Sequence, residues 1–248
     1  MTRVLLTGAT SGIGLAAAAL LAPVVELIAQ GPEGRRPGNL DPGIRYIPSD
    51  FTRLSAVREL AAAVLDDGPP DVVINNAGIP GPRVLTTSGD GIELTFQVNY
   101  LAGALLTELL LPHLAPDARI VNVASATHYS ATLDLDDLGY ERSPYDSVGA
   151  YARSKLAIVA RTCSLSSRLP QTLVSVHPGV LSTGLLHAMF GLVGAPVARG
   201  AESIVHAVEA RVPSGAYLDE RAPAAPNPLA LDPAFQRRLD ALTERLLS

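Results

Sequence analysis

Short apolar runs alternate along the chain with longer stretches of helical character. Val4 to Leu6, Val24 to Ala29, Ile44 to Ile47, Val72 to Ile74, Ile120 to Val123 and Leu173 to Val176 have the length of buried strands. Ala16 to Leu21, Ser55 to Leu65, Ile92 to Leu111, Ala150 to Leu169, Ala201 to Val212 and Pro233 to Leu247 are predicted helices, several of them rich in Ala, Leu and Glu. In the last of these, Leu239, Leu242, Leu246 and Leu247 recur at three-to-four-residue spacing, which marks a packing face. Strands and helices taking turns predict β-α-β units, hence an α/β fold with a parallel sheet flanked by helices. A chain of 248 residues fits one such domain, 1–248, and the Pro-rich stretch Ala222 to Pro233 reads as a surface excursion before the final helix.

Four strand runs lead into connections of unusual composition. Val4 to Leu6 is followed by Thr7-Gly8-Ala9-Thr10-Ser11-Gly12-Ile13-Gly14, and Val72 to Ile74 by Asn75-Asn76-Ala77-Gly78. Ile120 to Val123 leads to Ala124-Ser125, and Leu173 to Val176 to His177-Pro178-Gly179. In an open parallel sheet, ligands bind beyond the carboxyl ends of the strands, so all four segments are expected to face one crevice.

Gly8, Gly12 and Gly14 sit at the first strand-to-helix turn, where missing side chains permit a tight bend and let the backbone approach a pyrophosphate at a helix N-terminus. The spacing is GxxxGxG, and a lone glycine loop of this kind is also an ordinary turn. Tyr151 and Lys155 lie four residues apart on a predicted helix, so they leave the same face. An ammonium beside a phenol favours the phenolate and lowers a pKa that is ordinarily about 10. Tyr151 is thereby a candidate acid/base, and Ser125 a candidate donor to a carbonyl oxygen that gains negative charge as hydride arrives.

Taken in order, TGATSGIG at 7–14, NNAG at 75–78, Ser125, Tyr151-Ala152-Arg153-Ser154-Lys155 and Pro178-Gly179 resemble the short-chain dehydrogenase/reductases, over almost the entire chain. That resemblance implies a Rossmann-like, doubly wound sheet and a catalytic tetrad of Asn99, Ser125, Tyr151 and Lys155, with Asn99 holding a water behind Lys155. It implies a nicotinamide dinucleotide held by Gly8, Thr10, Ser11, Gly12, Ile13, Gly14, Asn76, Ala77, Gly78, Tyr151, Lys155, Pro178, Gly179, Val180 and Thr183. Asp50 and Phe51 resemble the family's adenine contact, although Asp50 also suits a helix N-cap. His128, Leu135-Asp136-Asp137-Leu138, Tyr145 and the segment from Asn227 to Leu247 are similar to the retinol-dehydrogenase-like branch, the terminal segment to its bacterial members. That branch implies a lipophilic carbonyl or alcohol, while the retinoid itself does not carry over.

The coenzyme is less clearly marked. In that branch a basic residue at the end of the second strand grips the 2′-phosphate of NADP, and here Gly31 falls near that position, with no Asp in its place to favour NAD. Arg35 and Arg36 lie just beyond and are the candidates for a phosphate contact, so NADP is the expectation and NAD stays open. Thr183 to Arg199, with Leu185, Leu186, Met189, Phe190, Leu192 and Val193, is the expected substrate lid (183–199), its apolar character suited to a lipophilic ligand or else to a core or dimer contact.

The remaining features exclude more than they add. A net charge of −5 with scattered Lys and Arg argues against a nucleic-acid partner. One cysteine, Cys163, precludes an internal disulfide, and five scattered histidines show no metal-ligand spacing. No leader or membrane anchor is expected, and the location is expected to be cytoplasmic. The resemblance implies a homo-oligomer, dimer or tetramer. Two other readings share the fold: a non-redox cyclase, epimerase or eliminase, and a nucleotide-sensing binding protein, the latter expected to lack Tyr151 or Lys155.

Overall fold

A computed structural model describes residues 1–32, 34 and 36–248. In chain order the elements are β1 (Arg3–Leu6), α1 (Gly12–Leu21), β2 (Glu26–Gly31), β3 (Arg45–Pro48), α2 (Leu54–Leu65), β4 (Val72–Asn75), α3 (Leu94–Phe96), α4 (Ala102–Leu110), β5 (Arg119–Val123), α5 (Ser147–Ser166), β6 (Thr172–His177), α6 (Gly184–Phe190), α7 (Val197–Glu209), β7 (Tyr217–Asp219), β8 (Ala222–Ala224), α8 (Pro228–Leu231) and α9 (Pro233–Leu247). Among the described residues eight strands form one sheet in the order β3-β2-β1-β4-β5-β6-β7-β8. The first seven run parallel and β8 returns antiparallel. The α/β parallel-sheet expectation holds, and strand order reverses direction between β1 and β4, where such folds open a crevice.

Each strand feeds two cores because alternate side chains leave opposite faces. In β1, Leu5 joins the core beneath α2, α4, α5 and α9, while Val4 and Leu6 join the one beneath α1 and α7. Leu173 of β6 goes to the first core and Val174 and Val176 to the second. The outer strands are short, and both contain proline: Pro48 opposite Gly31, and Pro223 opposite Leu218.

The helices differ from expectation mainly at their ends. α1 starts at Gly12 rather than Ala16, so the glycine loop runs straight into its first turn. The predicted helix Ile92 to Leu111 is interrupted, since α3 and α4 are joined by a wide π-turn at Gln97–Leu101. The stretch Leu94–His113 is long and apolar enough to cross a membrane, with a mean hydropathy of 1.3, yet 72% of it is buried inside the protein as a core helix. α6 and the strands β7 and β8 were not expected. β7 is a three-residue strand that exists by pairing with β6, and Tyr217 within it is among the largest fully buried side chains.

The C-terminal helix is fastened by a buried ion-pair network. Asp240 of α9 accepts hydrogen bonds from Arg161 at 3.2 Å and from Ser164 at 2.6 Å on α5, and Arg161 also pairs with Glu108 of α4. Arg161 and Asp240 are each 7% exposed, so removing one partner strands a charge away from water. Asp240→Ala is expected to lower unfolding stability by about 3 kcal/mol, measured by urea denaturation. An unchanged midpoint would show that the pairs contribute nothing net.

Candidate active site

The first turn is built around three side chains that carry no chemistry of their own. Thr7 Oγ1 accepts from the Asn76 and Ala77 amides at 3.0 Å each, and Asn76 Nδ2 donates to the Thr7 and Gly8 carbonyls. Gln30, 2% exposed, accepts from the Gly8 amide at 3.0 Å and donates to the Ser49 carbonyl at 2.8 Å. The loop after β1 is thus tied to those after β4 and β3. Neither Thr7 nor Gln30 was singled out in the sequence, since a Thr opening a glycine loop and a Gln ending a strand are common.

The glycines act differently from one another. A Cβ on Gly14 would lie 2.1 Å from the Gly8 carbonyl oxygen and 2.5 Å from Asn76 Nδ2, so Gly14 is demanded by packing. Gly12 has φ +52° and open space, with Thr183 Cγ2 the nearest atom at 3.6 Å. Ser11 stands at the N-cap of α1 but its side chain caps nothing. The first-turn amides of α1, at Gly12, Ile13 and Gly14, therefore face the crevice beside Thr10 and Ser11, as a pyrophosphate site requires. A dinucleotide fits here.

Gly31 explains the missing basic residue. A Cβ there would lie 2.1 Å from Thr10 Cγ2 and 2.8 Å from the Tyr46 hydroxyl, so a side chain at this position would have to displace Thr10 and Tyr46. Arg35 lies outside the described residues. Arg36 donates to the Asp41 carbonyl at 2.8 Å and the Ile44 carbonyl at 3.3 Å, with its guanidinium 5.9 Å from the Tyr46 ring centroid. Asp50 accepts from the Thr52 amide at 3.0 Å and does not cap α2, whose Leu54 amide is held by Asp90 instead. Phe51 is 5% exposed with its ring in the core, so any coenzyme contact would be through its backbone.

Tyr151 and Lys155 lie one turn apart on α5, which Asp146 caps by accepting from the Val148 and Gly149 amides. The side chain of Ser125, two residues beyond β5, lies beside the Tyr151 hydroxyl, close enough to lower its pKa. Lys155 Nζ donates to the Val123 carbonyl at 2.8 Å and sits 5.4 Å from the Tyr151 ring centroid. Gly78 is where Asn99 and Lys155 meet: a Cβ there would be 3.4 Å from Asn99 Oδ1 and 3.7 Å from Lys155 Nζ. Asn99 lies in the π-turn, accepting from the Ile79 amide at 2.8 Å and donating to the Ile79 carbonyl and Ser154 Oγ. The four tetrad candidates are brought together.

The electrostatics correct one expectation. Burial pushes the Tyr151 phenol up to about 12, opposed by the hydrogen bond with Ser125, and pushes the Lys155 ammonium down to about 8. Desolvation outweighs the attraction expected from the lysine, because both groups are almost wholly withdrawn from water, 7% and 3% exposed. Burial thus favours the protonated phenol.

Behind Asn99 is a cavity of about 30 Å³, lined by Asn75, Asn99, Thr107, Asn122 and Thr162 among others. Space of that size accommodates about one water. Asn75 donates to Thr107 and Asn122, while its Oδ1 is buried without a partner among the described residues, so the cavity offers a water an acceptor to satisfy.

The branch-like residues hold the turn and loop that follow Ser125. His128, 0% exposed, lies in the 3-10 turn Ala126–Ser130 that follows Ser125. Leu133 and Leu135 enter the core, and Asp137 holds the turn beyond them by accepting from the Arg142 amide and Ser143 Oγ. Tyr145 donates to the Pro82 carbonyl, and the Arg153 guanidinium lies 4.3 Å from the Tyr140 ring centroid. Gly179, at φ +107°, turns the chain after Pro178, Val180 is 55% exposed, and Thr183 caps α6 by accepting from the Leu186 amide. α6 has no buried residue, and Phe190, Leu192 and Val193 near it are exposed.

Comparison with known proteins follows this geometry. The short chain dehydrogenase family model matches residues 2–190. Retinol dehydrogenase 13 of Mus musculus is 34% identical, across 98% of this chain and 83% of its own. Polyprenol dehydrogenase of Mus musculus is 35% identical, across 98% and 82%. Among solved structures, a protein from Mycobacterium paratuberculosis superposes with a TM-score of 0.85 at 29% identity, covering 100% of this chain and 93% of that one.

Proposed function

This chain belongs to the short chain dehydrogenase family, in the branch of retinol dehydrogenase 13, and from that premise we propose that it interconverts an apolar carbonyl compound and its alcohol with Tyr151 as acid/base. It is an NAD(P)-dependent oxidoreductase acting on CH–OH groups. The observation that carries the proposal is the buried Tyr151 phenol beside Ser125, with the buried Lys155 ammonium 5.4 Å from its ring centroid.

The nicotinamide supplies or takes up the hydride. In reduction, the carbonyl oxygen accepts hydrogen bonds from Ser125 and Tyr151, and Tyr151 gives it the proton as the carbonyl carbon gains hydride. Lys155, anchored on Val123, keeps a positive charge near the phenol, and the cavity behind Asn99 has room for a water that would return a proton. The α1 N-terminus and Gly12 would hold the pyrophosphate, and Thr183 and Val180 would hold the nicotinamide end.

Apolar substrates are supported by the exposed Val180, Phe190, Leu192 and Val193 on the segment after Gly179 and by Tyr129 on the turn after Ser125. Retinol and polyprenol, for which the two mouse relatives are named, are apolar alcohols. Coenzyme oxidation should be followed with apolar and with sugar-like aldehydes and ketones. Turnover confined to the apolar set is expected, and equal rates with polar carbonyls would remove the lipophilic assignment.

NADP is the proposed coenzyme, with Arg36 as the first described cation after β2 along the chain. Arg36→Ala is expected to weaken NADPH binding by about tenfold and NADH binding by less than about twofold, read by titration calorimetry. Equal losses would reject a 2′-phosphate contact.

A further inference from the structure

One residue grips the catalytic serine twice. The Ser125 carbonyl accepts from the His128 amide at 3.1 Å and lies 2.7 Å from His128 Nδ1. A carbonyl can only accept, so Nδ1 carries the proton. The Asn227 amide donates to Nε2 at 3.3 Å, and a peptide N–H can only donate, so Nε2 is bare. Both ring nitrogens are thus committed to backbone partners, and the two partners select one neutral tautomer.

The surroundings hold the ring in place. The His128 ring packs tilted against Tyr129 and Tyr217, at centroid distances of 4.2 and 4.7 Å, and the two tyrosines meet edge-on at 5.8 Å. Asn227 Nδ2 reaches over the same turn to the carbonyls of His128, Tyr129 and Ala131. Ser125 itself has an extended backbone, and its hydroxyl oxygen accepts from the Thr127 amide at 3.3 Å. With that lone pair used, the hydroxyl proton is left to point at Tyr151 or at a substrate oxygen. Small rotations of the Ser125 peptide would swing Oγ out of that geometry.

We propose that His128, as the Nδ1–H tautomer clamped by Asn227, is a positioning residue that fixes the Ser125 hydroxyl for carbonyl polarisation. The clamp makes the segment before α8 a working part of the active site although no residue of it belongs to the tetrad. The proposal rests on the carbonyl-reducing reading above, and its tests separate the two.

Two conservative variants divide the roles of the ring. The amide nitrogen of Asn sits about where Nδ1 does, whereas the amide of Gln reaches the Nε2 position. His128→Leu and His128→Gln are expected to lower kcat by about 30-fold with KM within about twofold, and His128→Asn to recover to within about threefold of the parent. Thermal midpoints taken alongside should not follow that order. If Asn is no better than Gln, or if kcat tracks the midpoint, the positioning role is overturned. Nitrogen-15 NMR of the imidazole should show the Nδ1–H form at neutral pH, and an Nε2–H form or an imidazolium would overturn the clamp. If the parent turns over no carbonyl with either coenzyme, the reading above has failed rather than the clamp. The Thr127 amide shift then decides, expected to be kept in His128→Asn and displaced in His128→Gln, and the reverse would overturn the proposal.

Discussion

Tyr151→Phe is expected to lower kcat for carbonyl reduction by about a thousandfold while NADPH affinity stays within about twofold. The substitution removes one oxygen atom from a side chain that is otherwise packed, so fold and coenzyme site are left in place. What is lost is the proton that must reach the substrate oxygen as hydride reaches its carbon. Steady-state rates of both proteins with one substrate settle the matter. Rates that survive the substitution would assign the proton to water or to Ser125.

The same site sets a pH dependence whose sign follows from burial. The phenol, raised to about 12, remains protonated throughout the working range, so its own ionisation does not limit reduction. Lys155 is lowered to about 8, so its positive charge is lost as pH rises through that value. Reductive kcat/KM, which reports groups of the free enzyme, is therefore expected to fall above about pH 8. Lys155→Met should abolish that limb along with most of the activity, and a limb that persists would belong to another group.

Gly14→Ala carries the second large effect. Its methyl would enter space held by the Gly8 carbonyl and the Asn76 amide, both of which are fixed by further hydrogen bonds, so the loop or α1 has to move. A stability loss of about 2 kcal/mol is expected from the overpacking. NADPH affinity is expected to fall by about 100-fold, because the amides of the first turn no longer converge on one point. Gly38→Ala serves as the comparison, since a Cβ there meets nothing within 4 Å. Calorimetric titration and thermal unfolding of both variants test this, and unchanged NADPH binding in Gly14→Ala would mean that the loop does not hold the pyrophosphate.

The parts of this protein that were legible in its sequence are those determined locally. Strands β1 and β4 carry continuous apolar runs, β5 and β6 carry runs broken only by Asn122 and Ser175, and Tyr151 and Lys155 share a helix face by spacing alone. β7 and β8 were hidden because three residues carry no pattern, and their strand character comes from pairing, β7 with β6 and β8 with β7. The absence of a basic residue at Gly31 was visible, but its cause was not, since Thr10 and Tyr46 come from different strand ends. His128 was noted only as a branch-like residue. Its partner Asn227 is 99 positions away, and no spacing rule connects them. The phenol pKa was misjudged for the same reason: a charged neighbour can be read from spacing, whereas the loss of water around both groups depends on the whole fold.

The prolines in the outer strands have a bearing on how the chain survives its own assembly. A parallel sheet gathers segments that are distant in sequence, so it forms late and leaves its margins bare while it does. A bare margin is a template for another polypeptide. Pro48 and Pro223 each withhold an amide from any incoming strand, and the two margins offer only four and three residues to pair with. Growth of the hydrogen-bonded ladder is thus blocked at both ends, which favours a nascent molecule closing on itself over recruiting its neighbours into an aggregate.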